Sequence, residues 1–423
     1  MFGISLGAFV VLGLPDGMLG SAWPFMRSSF RQPLAALGLV QLAAMVGYLA
    51  ASGLSGRVTR RIGRATMLLL AAAAGCVAAL GIAATPWWWT LVVAAGVLGA
   101  AGGAVDAGMN AFLAHGDATR RLNLLHSCYG VGATVGPILV TRLVLVGAGW
   151  SAAYGVLCGL ELAVAVAVVT TRSRWTTREE ARGATGEHEH AEKEDGRAEI
   201  DRRDAHVDEA PARAAPVLSS RPVVFSLATF FVYTGAEVAA GQWSFTVLTT
   251  GRGLSTATAG ALVAGYWGSL TLGRLVAAVI ATRTSAAGLV RASVVGAVGG
   301  AGLFWWNPAN PVGAAGLIVL GFSLAAVFPT MVGQTPGWSG SAHAPTVIGW
   351  QLASAGAGGA LLSAVAGVVM QAAGLGALGP FVWATTGVLA VLYLVSRRIG
   401  LFGSSGVAAG TDPVGAESPS QRA

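Results

Sequence analysis

The sequence predicts an all-α membrane protein: twelve transmembrane helices in two six-helix halves. Three observations carry this. The chain of 423 residues is 54% hydrophobic and only 11% charged, whereas an ordinary soluble domain carries roughly 25% charged residues. The apolar residues gather in twelve runs long enough to cross a bilayer. The charges gather between the sixth and seventh runs: residues 172–221 hold ten of the 26 Lys/Arg and twelve of the 19 Asp/Glu. So little charge elsewhere cannot clothe a water-facing surface, and lipid must cover much of it.

A hydrocarbon core about 30 Å thick needs about 20 apolar residues in a helix. The first half supplies runs near 4–25, 34–56, 65–85, 90–114, 123–147 and 150–171. The second supplies 222–249, 257–281, 286–306, 311–333, 345–371 and 376–396. Many carry glycine, which lets membrane helices approach closely. The expected division is 1–171 for the N-terminal half, 172–221 for a charged disordered linker, 222–400 for the C-terminal half and 401–423 for a disordered tail. The linker has too few apolar residues to fold alone. It is expected to act as a tether, and His188, His190 and His206 leave open a metal-sensing or regulatory loop.

Arginines orient the chain, because cytoplasmic loops collect positive charge. Arg57, Arg60, Arg61 and Arg64, then Arg120 and Arg121, the linker, Arg283 and Arg291, and Arg397 and Arg398 fall on one side. The other side holds only Arg27, Arg31 and Arg252, with Trp87, Trp88, Trp89, Trp150, Trp305 and Trp306 as interfacial anchors. Both termini are therefore expected in the cytoplasm, with the protein in the cell inner (plasma) membrane. The net charge of +7 comes from short-loop arginines, so nucleic acid is not the expected partner; the lipid bilayer is. The first run lacks a basic leader and a small-residue cleavage site, so no cleaved signal peptide is expected. Cys76, Cys128 and Cys158 are expected as buried free thiols, without metal-site spacing. No cofactor or metal is expected, and no nucleophile–base pair or phosphate loop suggests an enzyme.

The halves read alike. Gly47-Tyr48 precedes Gly56-Arg57-Val58 in the second run, and Gly265-Tyr266 precedes Gly273-Arg274-Leu275 in the eighth. Asp16 precedes Gly20 and Trp23 in the first run, as Glu237 precedes Gly241 and Trp243 in the seventh. Duplicated bundles of this kind are common among transporters, with the substrate site at the repeat interface near midplane.

The loop Gly56-Arg57-Val58-Thr59-Arg60-Arg61-Ile62-Gly63-Arg64 resembles the G-x-x-x-D-R-x-G-R signature of the major facilitator superfamily. Gly56, Arg61, Gly63 and Arg64 match, and Arg60 replaces the acid that helps latch the cytoplasmic ends in that family. A narrower resemblance is to its fucose-permease-like branch. It rests on Asp106-Ala107-Gly108-Met109-Asn110-Ala111-Phe112, Arg121-Leu122-Asn123-Leu124-Leu125-His126, Gly130-Val131-Gly132, Tyr233-Thr234-Gly235-Ala236-Glu237, and Gly273-Arg274 followed by Arg283. That branch implies proton-coupled sugar uptake by alternating access. The superfamily loop signature and the helix-eight exit together make Gly56, Arg61, Gly63, Arg64, Gly273 and Arg274 the expected gating region, and Arg274 is expected to anchor a cytoplasmic helix end. One departure is that the branch's helix-one acid aligns near Gly20, whereas Asp16 lies one turn earlier.

Ionisable groups inside a span cost roughly 2.5–3.5 kcal/mol at the helix centre, so they face a cavity or a partner. Asp106 and Asp16 are the expected proton-coupling residues. A cavity carboxylate can load a proton from one side and release it to the other. Pro15-Asp16-Gly17 loosens its helix and offers backbone polar groups to the cavity. Glu237, Asn110, His126, Tyr233, Gln242, Trp243 and Tyr129 are the expected substrate-binding residues. Trp23, Tyr48, Tyr266, Trp267 and Trp350 add rings that stack on a hydroxylated ligand or pack helices. Glu161 is expected to pair with Arg142. The expected function is proton-coupled symport of a small polar solute, a sugar or related metabolite, by a monomer. Gly132-Ala133-Thr134-Val135-Gly136-Pro137 is similar to the antiporter signature of drug exporters and keeps proton-driven efflux open. A receptor on a transporter scaffold is the alternative of another class.

Overall fold

The computed structural model describes residues 1–113, 118–175 and 220–402. The bulk of the expected linker with His188, His190 and His206, and the tail from 403 onward, lie outside these residues. Within the first half the helices are α1 (Phe2–Ser29), α2 (Leu37–Ile62), α3 (Arg64–Ala84), α4 (Trp88–Leu113), α5 (Ala118–Leu145) and α6 (Gly149–Thr170). The second half has α7 (Arg221–Thr246), α8 (Thr256–Ile280), α9 (Ala286–Trp306), α10 (Asn310–Leu324), α11 (Val327–Ser339), α12 (Ala344–Ala373) and α13 (Leu378–Arg398). The described residues form twelve spans long and apolar enough to cross a membrane, with α10 and α11 sharing the tenth. The chain is a multi-pass membrane protein.

Two boundaries depart from the sequence reading for physical reasons. Residues 56–62, read as loop, are the last two turns of α2, and only Gly63 leaves the helix, at φ +78°. Arg60 and Arg61 in that last turn favour the negative helix C-terminus. The tenth span, read as one helix to 333, breaks at Ala325–Ala326 and runs on to Ser339. Pro329 lies four residues past Ala325, where it has no N–H to donate and its ring crowds that carbonyl.

Helix neighbours follow one plan in each half. α1 packs along α5, α2 along α4, and α3 along α6 and α4; α7 packs along α12, α9 along α10 and α13, and α8 along α10. Across the halves α5 meets α8, α2 meets α12, and α1 meets α7. The duplication seen in sequence recurs in packing. The carbonyl of Tyr48 in α2 abuts Gly103 in α4, and that of Tyr266 in α8 abuts Gly321 in α10.

Glycine sets the closest approaches. A Cβ on Gly13 or Gly17 in α1 would lie 2.0 Å from the carbonyl oxygen of Tyr129 or Ala133 in α5. A Cβ on Gly132 would lie 2.0 Å from Val10 O, and one on Gly136 2.7 Å from Leu14 O. The four glycines interlock two backbones at a distance no side chain allows. Pro137 leaves the Ala133 carbonyl without its helix donor, and Gly17 presents its Cα–H to that oxygen, a weak but recurrent membrane-helix contact. The exporter-like stretch Gly132–Pro137 is thus used in helix packing.

The end of the bundle with loops 30–36, 85–87, 146–148, 252–255, 307–309 and 374–377 is called the distal end; the opposite end carries the N-terminus and the exit of α13. Near the distal end the halves touch. Gly20 meets the backbone of Gln242, Phe25 and Phe245 rings stand 6.2 Å apart, and Gly38 meets Ala364. The Ala35 N–H donates to Gln371 Oε1 at 2.9 Å. Towards the terminal end the helices part. α2 and α12 still touch at Met45 and Gly356, but nothing lies within 4 Å of a Cβ on Gly53 or Gly349, and Leu49, Trp350 and Leu352 are exposed. α5 and α8 meet at Thr141–Gly260, Thr134–Gly268 and Gly130–Thr271, while Leu124, His126 and Leu275 beyond are exposed. The interior is closed distally and open towards the terminal end.

Candidate functional site in the central cavity

Three carboxylates lie in mid-bundle, and a tyrosine hydroxyl donates to each. In α4, Asp106 Oδ2 accepts from Tyr48 of α2 and Oδ1 accepts from Asn110 Nδ2 at 2.8 Å. In α1, Asp16 Oδ2 accepts from Tyr129 of α5. In α7, Glu237 Oε2 accepts from Tyr233 one turn earlier. The glycine interlocks aim these groups: Gly103 draws α4 onto Tyr48, and Gly13 draws α1 onto Tyr129.

Glu237 has a further partner. Arg274 Nη2 lies 3.6 Å from Glu237 Oε1, with side chains 30% and 10% exposed. Tyr266 also donates to the Glu237 backbone carbonyl at 2.8 Å. Arg274 is therefore not a helix-end anchor. It and Gly273 lie inside α8, and Gly273 packs on the Phe322 carbonyl of α10. A guanidinium and a carboxylate inside the bundle each need a counter-charge, and each is the other's. The other expected gating residues also sit differently. Gly56 and Arg61 end α2, and Arg64 starts α3 buried with its guanidinium 5.4 Å from the Phe112 ring.

The groups converge. Asp16 is in electrostatic reach of Glu237 and Tyr48. His126 is in reach of both Asp106 and Arg274, and its ring edge meets Phe9 at 5.5 Å. Asp16 and His126 are exposed although both lie within spans, while Asp106, Asn110 and Tyr129 are half-buried. These five face the open interior. Tyr233, Gln242 and Trp243 are buried instead. Trp243 Nε1 donates to Ser363 O at 2.8 Å, and its ring fills the space left by Gly367. Gln242 Nε2 donates across the halves to the Asp16 carbonyl at 2.8 Å, and its Oε1 is buried without a partner.

Glu161 does not pair with Arg142. Its carboxylate fills the space beside Gly75 in α3, near Cys76. Sequence reasoning also missed the Glu237–Arg274 pair. The signal was available: within the spans of the second half, one acid and one deeply placed base are the obvious partners. It missed as well a buried chain in which Gln351 Nε2 donates to Ser226 Oγ at 2.6 Å and Gln351 meets Thr335, tying α7, α11 and α12. Among the described residues no cluster of three or more His, Cys, Asp or Glu could hold a metal.

A bundle of twelve spans around a polar, one-sided cavity is the architecture of a membrane transporter. The chain belongs to the Major Facilitator Superfamily, whose sequence model matches residues 5–362. No curated protein matches it in sequence. Solved structures similar to it include the nucleoside transporter NupG, at 14% identity and TM-score 0.72. The E. coli fucose:proton symporter FucP is similar at 15% identity and TM-score 0.60, and the E. coli xylose transporter XylE at 13% and 0.65. Each likeness covers 94% of this chain and 98% of the other. At such identities they establish a shared fold.

Proposed function

We propose that this transporter carries a small hydroxylated solute, a sugar or sugar-containing metabolite, together with a proton. The observation that supports this best is the pair of cavity carboxylates, Asp106 and Asp16, each held by a neutral tyrosine donor rather than by a fixed cation. An arginine beside a carboxylate favours its charged form, and Glu237 has such a neighbour in Arg274. A carboxylate held only by hydroxyl and amide groups can take up and release a proton within the cycle. Asn110 and His126 beside Asp106 add donors and acceptors suited to hydroxyls. The similar structures of a nucleoside transporter, a fucose:proton symporter and a xylose transporter point to the same class of cargo.

With the termini in the cytoplasm, as the arginine distribution predicts, the described state is inward-facing. Transport then requires the distal contacts to open while the terminal end closes, exposing Asp16 and Asp106 to each side in turn.

The test is transport in proteoliposomes under an imposed proton gradient, with internal pH recorded. A panel of sugars and nucleosides is offered beside hydrophobic drugs. Proton influx that depends on a sugar or nucleoside supports the proposal. Proton counterflow with a drug replaces it by efflux, and solute-independent silence overturns it.

A further inference from the structure

We propose that Cys76 and Cys158 form a redox-sensitive thiol pair that closes to a disulfide across the α3–α6 seam. The two sulfur atoms lie 2.9 Å apart, one on each helix, and both residues are half-exposed rather than sealed in a core. α3 and α6 pack along their length, so small side-chain rotations bring the sulfurs to bonding distance. Glu161 stands three residues after Cys158, on the same face of α6. Its carboxylate atoms lie 2.9–3.2 Å from where a Cβ on Gly75 would be, and it is in electrostatic reach of Cys76. Among the described residues no hydrogen bond or ion pair engages this carboxylate. An unpaired acid inside a span is costly, and beside the thiol pair it has a proton to accept once a thiol turns towards it.

The oxidant is a hydroperoxide, a small neutral species that enters membranes. Glu161 removes the proton of one thiol. The thiolate attacks the peroxide oxygen, the O–O bond breaks, and the departing oxygen takes the proton back from Glu161. The resulting sulfenic acid is attacked by the second thiol, the S–S bond forms, and the S–O bond breaks. Hydroxide leaves with the second thiol's proton as water. Two thiols lose two electrons and two protons, and the peroxide is reduced by the same two electrons. Both cysteines belong to the first six-helix half, so the bond staples that half internally and leaves the junction between halves free.

The test uses the full chain in lipid nanodiscs, treated with hydrogen peroxide and then alkylated. Before treatment all three cysteines react once denatured. Afterwards the expected intact mass is lower by about 2 Da before alkylation, one thiol alkylates, and proteolysis yields a dithiothreitol-sensitive peptide joining Cys76 to Cys158. Cys76→Ser abolishes the mass loss. Glu161→Gln slows cross-linking at least about tenfold, as removal of a general base does. Three alkylated thiols after treatment, or mass gains in steps of about 16 Da without cross-linking, overturn the proposal. An unchanged rate in Glu161→Gln overturns the role given to Glu161.

Discussion

Asp106 has both carboxylate oxygens engaged by neutral donors, Tyr48 and Asn110. Asp106→Asn keeps the shape and removes the exchangeable charge. It is expected to abolish uphill, gradient-driven accumulation while leaving substrate exchange measurable in preloaded vesicles; wild-type accumulation in this variant contradicts the proton role. Glu237 behaves differently. Glu237→Gln leaves Arg274 without its counter-charge, at an expected cost of about 2 kcal/mol. That is below the usual figure of about 3–5 for a fully buried pair, because Arg274 is 30% exposed. Chemical denaturation checks this, and Glu237→Gln combined with Arg274→Gln should recover part of the loss. All three acids were visible in the sequence, because a charge inside an apolar run stands out. The partners of Asp106 and Asp16 were not, since Tyr48 and Tyr129 reach them only when α2 meets α4 and α5 meets α1. Sequence distance gives no sign of either meeting.

The twelve spans were legible in number and place, with ends within about six residues, because apolar length in a bilayer leaves few alternatives. What the pattern hid was how each one is used. Gly13, Gly17, Gly132 and Gly136 looked like part of a generally glycine-rich chain, but they form one reciprocal contact between α1 and α5. Gly136→Leu places side-chain atoms where Leu14 O and Met18 N now lie. Overpacking of this kind costs about 1–3 kcal/mol, and it should also pull Tyr129 away from Asp16. The expected outcome is a lowered melting temperature together with lost transport. An unchanged melting temperature would show that the contact is not required. Residues 56–62 misled in the opposite way. Their glycine and arginines read as a turn, but arginines suit a helix C-terminus and Gly63 alone supplies the positive φ.

Between the halves, a few polar ties run from mid-bundle to the distal end. Gln242 reaches the Asp16 carbonyl and Gln371 receives the Ala35 N–H. Gln242 was read as a substrate ligand because it sits near Glu237 in sequence, but it is buried at the crossing of α1 and α7. Gln242→Leu together with Gln371→Leu is expected to shift the population towards the distally open state. Distance distributions between spin labels on the loops at 30–36 and 374–377 check this: a longer-distance component should grow, and an unaltered distribution would mean that the ties do not hold the closed state. The duplicated plan was legible in the paired Gly-Tyr and Gly-Arg motifs, whereas the state of closure was not, since one sequence encodes both states of the cycle. The break at Ala325–Ala326 bears on the same motion. α10 is held by α8 and α9, whereas α11 packs on α12 and α7 as well as α9. Pro329 has removed one rung of the helical ladder between them, so bending there stretches fewer hydrogen bonds than bending an unbroken helix. The tenth span is thus articulated like an elbow, and its terminal segment can swing with the neighbours that shut the cavity while its distal segment stays where it is.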